Sequence, residues 1–133
     1  MLVRGSDMVL NMNSTTPIYF QIAEWIENEI LIGNLKVDER VYSQYKLADM
    51  FTINPATAAK GLNLLYEEGI LYNKRGLGKF VANEAMGIIL EKRKNQKLKG
   101  LLIEAVQEAE RLQVQEEDLL NMLKDIMKEQ KGE

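Results

Sequence analysis

The sequence predicts a mostly α-helical fold with one small β-hairpin: an N-terminal domain of three helices closed by the hairpin, then a C-terminal helical appendage. Three features predict it. Apolar residues recur every three or four positions in two long stretches, Pro17 to Ile32 and Leu98 to Met127. Between these, the strand-like runs Ile70-Leu71-Tyr72 and Phe80-Val81 flank a glycine-turned basic segment, the pattern of a hairpin. From Asn83 the composition shifts, with no glycine- or proline-rich linker, to Met86, Ile89 and Leu90 and then the basic run Lys92 to Lys99, which reads as a solvated helix face.

The elements follow in order. The first helix lines up Tyr19, Ile22, Ala23, Ile26 and Ile30, with Thr16 as N-cap, Pro17 at the first helical position and Gly33 at the end. Leu35-Lys36-Val37 and Arg40-Val41-Tyr42 flank Asp38-Glu39 and read as a turn with a short strand. Ser43 caps a two-turn helix through about Phe51, whose inward residues are Leu47, Ala48 and Phe51. Thr52-Ile53-Asn54-Pro55 forms a tight turn, and Asn54 and Pro55 open a third helix that runs to the stop at Gly69 with Ala58, Leu62 and Leu65 inward. A helix, two short helices joined by about four residues, and a two-stranded ribbon make the order of a winged helix-turn-helix, here spanning residues 12–82.

Residues 83–133 form the appendage. One amphipathic helix carries the stripe Leu98, Leu101, Leu102, Ala105, Ala109 and Leu112; after a break near Gln113 to Gln115 a second carries Leu119, Leu123 and Ile126, with Leu120 and Met127 alongside. Two helices cannot bury both stripes alone as well as they can against a second copy, so dimerisation is expected. Residues 1–11 read as an expression-vector scar or a disordered arm and carry no weight in the fold.

Composition narrows the function. The chain has no cysteine and no histidine, which removes disulfide scaffolds, thiol nucleophiles, most zinc sites and imidazole acid–base chemistry; no cofactor or metal motif is present. No run approaches the roughly 20 apolar residues of a membrane span and no signal pattern opens the chain, so a cytoplasmic location is expected. Net charge is −3, with 7 basic against 8 acidic residues in 12–82 and 9 against 11 in 83–133. A nucleic-acid binder with this balance must gather its cations on one surface, because phosphate affinity comes from local lysines and arginines.

The candidate surface is the pair of short helices plus the hairpin. In a helix-turn-helix the start of the second helix enters the major groove, which presents Asn54, Pro55, Ala56, Thr57 and Lys60 to bases and phosphates, with Ala56 and Ala59 small enough for close approach. Lys60 and Thr57 are read as phosphate contacts, and the amide ends of the helices at Ser43 and Asn54 favour anions. At the hairpin Lys74, Arg75 and Lys79 supply charge, while Gly76 and Gly78 leave room for Arg75 in a narrow minor groove.

These residues resemble the GntR family of bacterial transcription regulators, in particular its short YtrA-like members. The resemblance rests on Pro17-Ile18-Tyr19-x-Gln21-Ile22, Gly33-x-Leu35, Ser43-x-x-x-Leu47-Ala48, Asn54-Pro55-x-Thr57-x-x-Lys60, Leu65-x-x-Glu68-Gly69-Ile70 and Arg75-Gly76-x-Gly78-x-Phe80-Val81. It implies a homodimer on an inverted-repeat operator in double-stranded DNA and a tail that dimerises, being too short for the effector domains of larger relatives. A repressor role is expected, and no residue nominates a ligand, so any small-molecule effector is left unidentified. The chain departs from the family's Ser-Glu-Arg-x-Leu-Ala pattern at Ser43-Gln44-Tyr45-Lys46-Leu47-Ala48. Tyr45 replaces an arginine expected near DNA, leaving Gln44 to read adenine and Lys46 to hold phosphate. Ala58 and Gly61 are smaller than the family usually has, which predicts a loosely packed third helix.

Two other classes compete. An enzyme would need a carboxylate or lysine pair in a pocket, whereas the acids here fall mostly on polar helix faces. A winged helix used only for protein interaction would interrupt the basic face with glutamates, so the placement of Lys60, Lys74, Arg75 and Lys79 discriminates.

Overall fold

The computed structural model describes residues 10–132. Helix α1 (Ile18–Leu31) buries Ile22, Ala23, Trp25, Ile26 and Ile30. Pro17, not Thr16, stands at its cap position, and no side chain caps it. The Gln21 side chain instead ties the preceding segment to the helix: its Nε2 donates to the carbonyls of Thr16 and Asn11, both at 3.0 Å, and its Oε1 accepts from the Asn11 N–H at 2.8 Å. Asn11 is thus tied to α1, and Leu10 packs against the core; the rest of the supposed scar or arm, residues 1–9, lies outside the described residues.

Helices α2 (Gln44–Phe51) and α3 (Pro55–Glu67) start as their sequences require. The Lys46 N–H donates to Ser43 Oγ at 3.1 Å and the Ala56 N–H to Asn54 Oδ1 at 2.7 Å, satisfying amides that the first helical turn leaves without partners. Helix α3 is not loosely packed. Ala58 and Leu65 have no exposed surface, and a Cβ added at Gly61 would lie 2.7 Å from the Tyr19 carbonyl oxygen and 3.3 Å from Ile22 Cγ2. The small residues let α3 approach the backbone of α1, so their smallness sets distance rather than looseness.

Strands β1 (Leu71–Lys74) and β2 (Gly78–Val81) pair antiparallel, with Leu71 opposite Val81 and Lys74 opposite Gly78. The segment Asp38–Val41 lies against β2 as a third line of chain: Asp38 N–H donates to Val81 O (2.9 Å), Val81 N–H to Glu39 O (3.0 Å) and Val41 N–H to Lys79 O (2.9 Å). Ile22, Ile26, Leu47, Leu65, Ile70, Leu71, Val81 and Ile89 are fully buried and hold these elements together. At about 1.5–3 kcal/mol for each buried aliphatic side chain, this core is the main favourable term.

The chain divides into two compact units between Glu91 and Lys92. The first therefore runs past residue 82, because Ala85 and Ile89 of helix α4 (Ala85–Arg93) have no exposed surface and join its core. The second unit begins with Lys92 and Arg93 at the end of α4 and continues with a π-helical stretch, Lys94–Leu98, then α5 (Lys99–Arg111) and α6 (Glu116–Gln130). Gln113 sits at φ 59° and the Val114 N–H returns to the Ala109 carbonyl at 2.8 Å, closing α5 where the sequence pattern breaks. Glu116, Glu117 and Asp118 occupy the first turn of α6 and Lys128 the last, matching the helix dipole. Among the described residues no helix is long and apolar enough to cross a membrane.

Candidate nucleic-acid interface

Helix α3 buries Ala58, Gly61, Leu62 and Leu65, which turns Ala56, Lys60 and Asn63 outward on the opposite stripe. Its first turn carries no acid. Pro55 is exposed and Thr57 half-buried. The Lys60 Nζ stands 4.3 Å from the centroid of the Tyr19 ring, a cation–π contact that fixes the direction of a flexible cation. Ser43 and Asn54 use their side-chain oxygens as caps, which aims the helix starts and leaves the Ser43 hydroxyl hydrogen and the Asn54 Nδ2 group as donors. At the start of α2, Gln44 is half-buried, while Tyr45 and Lys46 point to solvent.

The basic segment is divided differently from its sequence pattern. Arg75, Gly76 and Leu77 make the hairpin tip, whereas Lys74 and Lys79 stand in the strands. Lys74 Nζ lies 4.4 Å from the Phe80 ring centroid. Lys79 Nζ donates to Asn73 Oδ1 at 3.1 Å and lies 5.3 Å from the ring of Tyr66, a residue of α3. Tyr72 stacks on Phe80, centroids 5.9 Å apart, and its hydroxyl donates to Asp38 Oδ1 at 2.7 Å. That hydrogen bond raises the Tyr72 pKa above its ordinary value, with burial and the Asp38 charge acting in the same direction.

A cleft of about 170 Å³ brings part of the surface together: Ser43, Gln44 and Tyr45 of the α2 start, Gly78 and Lys79 of the hairpin, and Arg40. Lys46, Asn54, Ala56, Lys60, Arg75 and Gly76 do not line it. Sequence patterns give no sign of a role for Arg40, Tyr19, Tyr66 or Asn73 on this surface. Arg40 follows two acids and looks neutralised in one dimension, and the other three act by holding cations, which no local pattern signals.

In the second unit, α5 and α6 leave an almost wholly apolar groove of about 520 Å³. Leu102, Ala105, Ala109, Leu112, Leu119, Leu123 and Ile126 of the predicted stripes line it; Leu98 and Leu101 do not. Ala109 is buried and Leu119 half-buried, but Leu102, Leu112, Leu123 and Ile126 remain 42–65% exposed within one chain. An apolar surface of this kind marks an interaction site.

Capped paired helices beside a braced basic hairpin define a winged helix-turn-helix of the kind found in transcriptional regulators. No family model matches the chain, but individual relatives do. It is 31% identical over 99 residues to the transcriptional repressor YtrA of Bacillus subtilis (strain 168), a match covering 72% of this chain and 76% of that protein. With the repressor NagR of the same organism it shares 37% identity over 79 residues, 59% of this chain and 32% of NagR; it thus spans about a third of that longer relative. Among solved structures, a GntR-family regulator from Bacteroides thetaiotaomicron superposes with TM-score 0.72 at 30% identity, covering 85% of this chain and 98% of that one. The DNA-binding domain of AraR in complex with operator ORX1 gives TM-score 0.51 at 28% identity, covering 56% and 93%. The chain belongs to the GntR family of transcriptional regulators.

Proposed function

We propose that the chain binds double-stranded DNA as a homodimer and represses transcription from an inverted-repeat operator. The observation that carries this reading is the outward stripe of α3, free of acids in its first turn and bearing Lys60, beside a hairpin bearing Lys74, Arg75 and Lys79. Three of these cations are steadied over aromatic rings, which lowers the entropy lost when they meet phosphate. Helix α3 would enter the major groove and Arg75 the adjacent minor groove. AraR is solved on its operator, and YtrA and NagR are repressors, which supports both the ligand and the direction of control.

The homodimer rests on the apolar groove of the second unit. A second copy is the occupant that covers the same stripe on both chains at once, as a two-fold interface requires. Lys60→Ala and Arg75→Ala are each expected to weaken binding to a short palindromic operator roughly tenfold, about 1.4 kcal/mol, without changing the sedimentation of the free protein. Unchanged affinity in both variants would remove this surface from the reading.

A further inference from the structure

We infer that Arg40 is an additional DNA contact, a phosphate clamp at the junction of the hairpin and the α2 start; the inference rests on the DNA-binding reading and adds a residue to it. The backbone around Arg40 is fixed to β2 by hydrogen bonds from Asp38 to Val81, Val81 to Glu39 and Val41 to Lys79, and Arg40 itself bridges to Phe80. Its guanidinium lies on Gly78: a Cβ added there would stand 3.2 Å from Nε, 3.6 Å from Nη2 and 3.8 Å from Cζ. Gly78, at φ +109°, therefore does two things, adopting a backbone conformation that side chains disfavour and leaving the seat on which the guanidinium rests.

The guanidinium is exposed and uncommitted. No described residue forms an ion pair or side-chain hydrogen bond with it. The two carboxylates beside it in sequence are engaged elsewhere, Asp38 with the Tyr72 hydroxyl at 2.7 Å and Glu39 with the Lys36 N–H at 2.7 Å. Lys79 lines the same cleft, while Tyr45 on its other wall brings no charge. A positioned five-donor fork with no protein partner, beside a second cation, suits a phosphate oxygen pair. Phosphate is the favoured target rather than a base because Arg40 is not on α3, the element that enters the groove, and because the first helix of a helix-turn-helix crosses the backbone.

The test uses the full chain with two probes, a duplex covering the DNA upstream of its own gene and a random-sequence duplex of equal length. Arg40→Ala is expected to weaken binding to both roughly tenfold and to flatten the plot of log affinity against log salt by about 0.9 for each phosphate that is no longer neutralised. Arg40→Lys is expected to keep the salt slope and lose part of the affinity. Gly78→Ala is expected to weaken binding when Arg40 is present and to add little in the Arg40→Ala background. Wild-type binding that is steep in salt, with Arg40→Ala unchanged in affinity and slope, would overturn the clamp and leave the DNA-binding reading standing. Loss confined to the upstream duplex would overturn the phosphate assignment in favour of a base contact. Equal loss for Gly78→Ala in both backgrounds would overturn the seating of Arg40 on Gly78. Failure of the unaltered chain to bind either duplex would overturn the DNA-binding reading, and the clamp with it.

Discussion

Thr52 stands at φ 54° and ψ 55°, left-handed geometry that costs a residue other than glycine roughly 1–2 kcal/mol, and a β-branched one at least as much. It is held there because the chain must turn from α2 into α3, with the Ile53 N–H returning to the Ala48 carbonyl at 3.0 Å. Thr52→Gly is accordingly expected to raise the unfolding free energy by about 1 kcal/mol, read from the denaturant midpoint, with DNA affinity unchanged. The sequence made Ser43, Asn54 and Pro55 legible because caps and proline act within three residues of themselves. It could not reveal Arg40, whose role depends on a glycine 38 positions later, nor Tyr19 and Tyr66, whose rings meet lysines brought to them by the fold.

At the scale of elements, the positions of α3 and α4 depend on small residues. Gly61 has a low helix propensity, which in sequence reads as looseness; in the fold it lets α3 reach the Tyr19 carbonyl on α1. Gly61→Ala would place a methyl 2.7 Å from that oxygen, so the helices must move apart. The expected cost is about 1–3 kcal/mol, a fall in melting temperature of several degrees, together with weaker DNA binding because α3 is tilted. Calorimetry and a mobility shift on the same sample would check both. Helix α4 behaves in a related way. Its weakly periodic Ala85-Met86-Gly87-Ile88-Ile89 stretch has the pattern of an appendage's beginning, yet Ala85 and Ile89 complete the core of the first unit. Which core an apolar residue joins is a tertiary property that periodicity does not carry.

For the whole molecule, the low net charge of −3 conceals a separation of roles. In the first unit Lys60 of α3, Lys74, Arg75 and Lys79 of the hairpin and Arg40 beside the α2 start are the cations proposed to meet DNA, while the second unit presents an apolar groove. The two tail stripes, and from them the expectation of a second copy, were legible because their spacing is regular over whole helices; which stripe residues line the groove was not, since Leu98 and Leu101 share the pattern yet stand outside it. Leu112→Asp combined with Leu123→Asp is expected to leave the first unit folded and to convert a dimer into monomers in sedimentation velocity, with operator affinity falling by roughly a hundredfold as two half-sites are engaged independently. The most direct test of a paired, DNA-reading molecule is a hydroxyl-radical footprint on its bound operator. Two protected patches centred one helical turn apart, about 34–36 Å, and abolished together in the double aspartate variant, are expected. A single protected half-site with the unaltered chain would contradict the account.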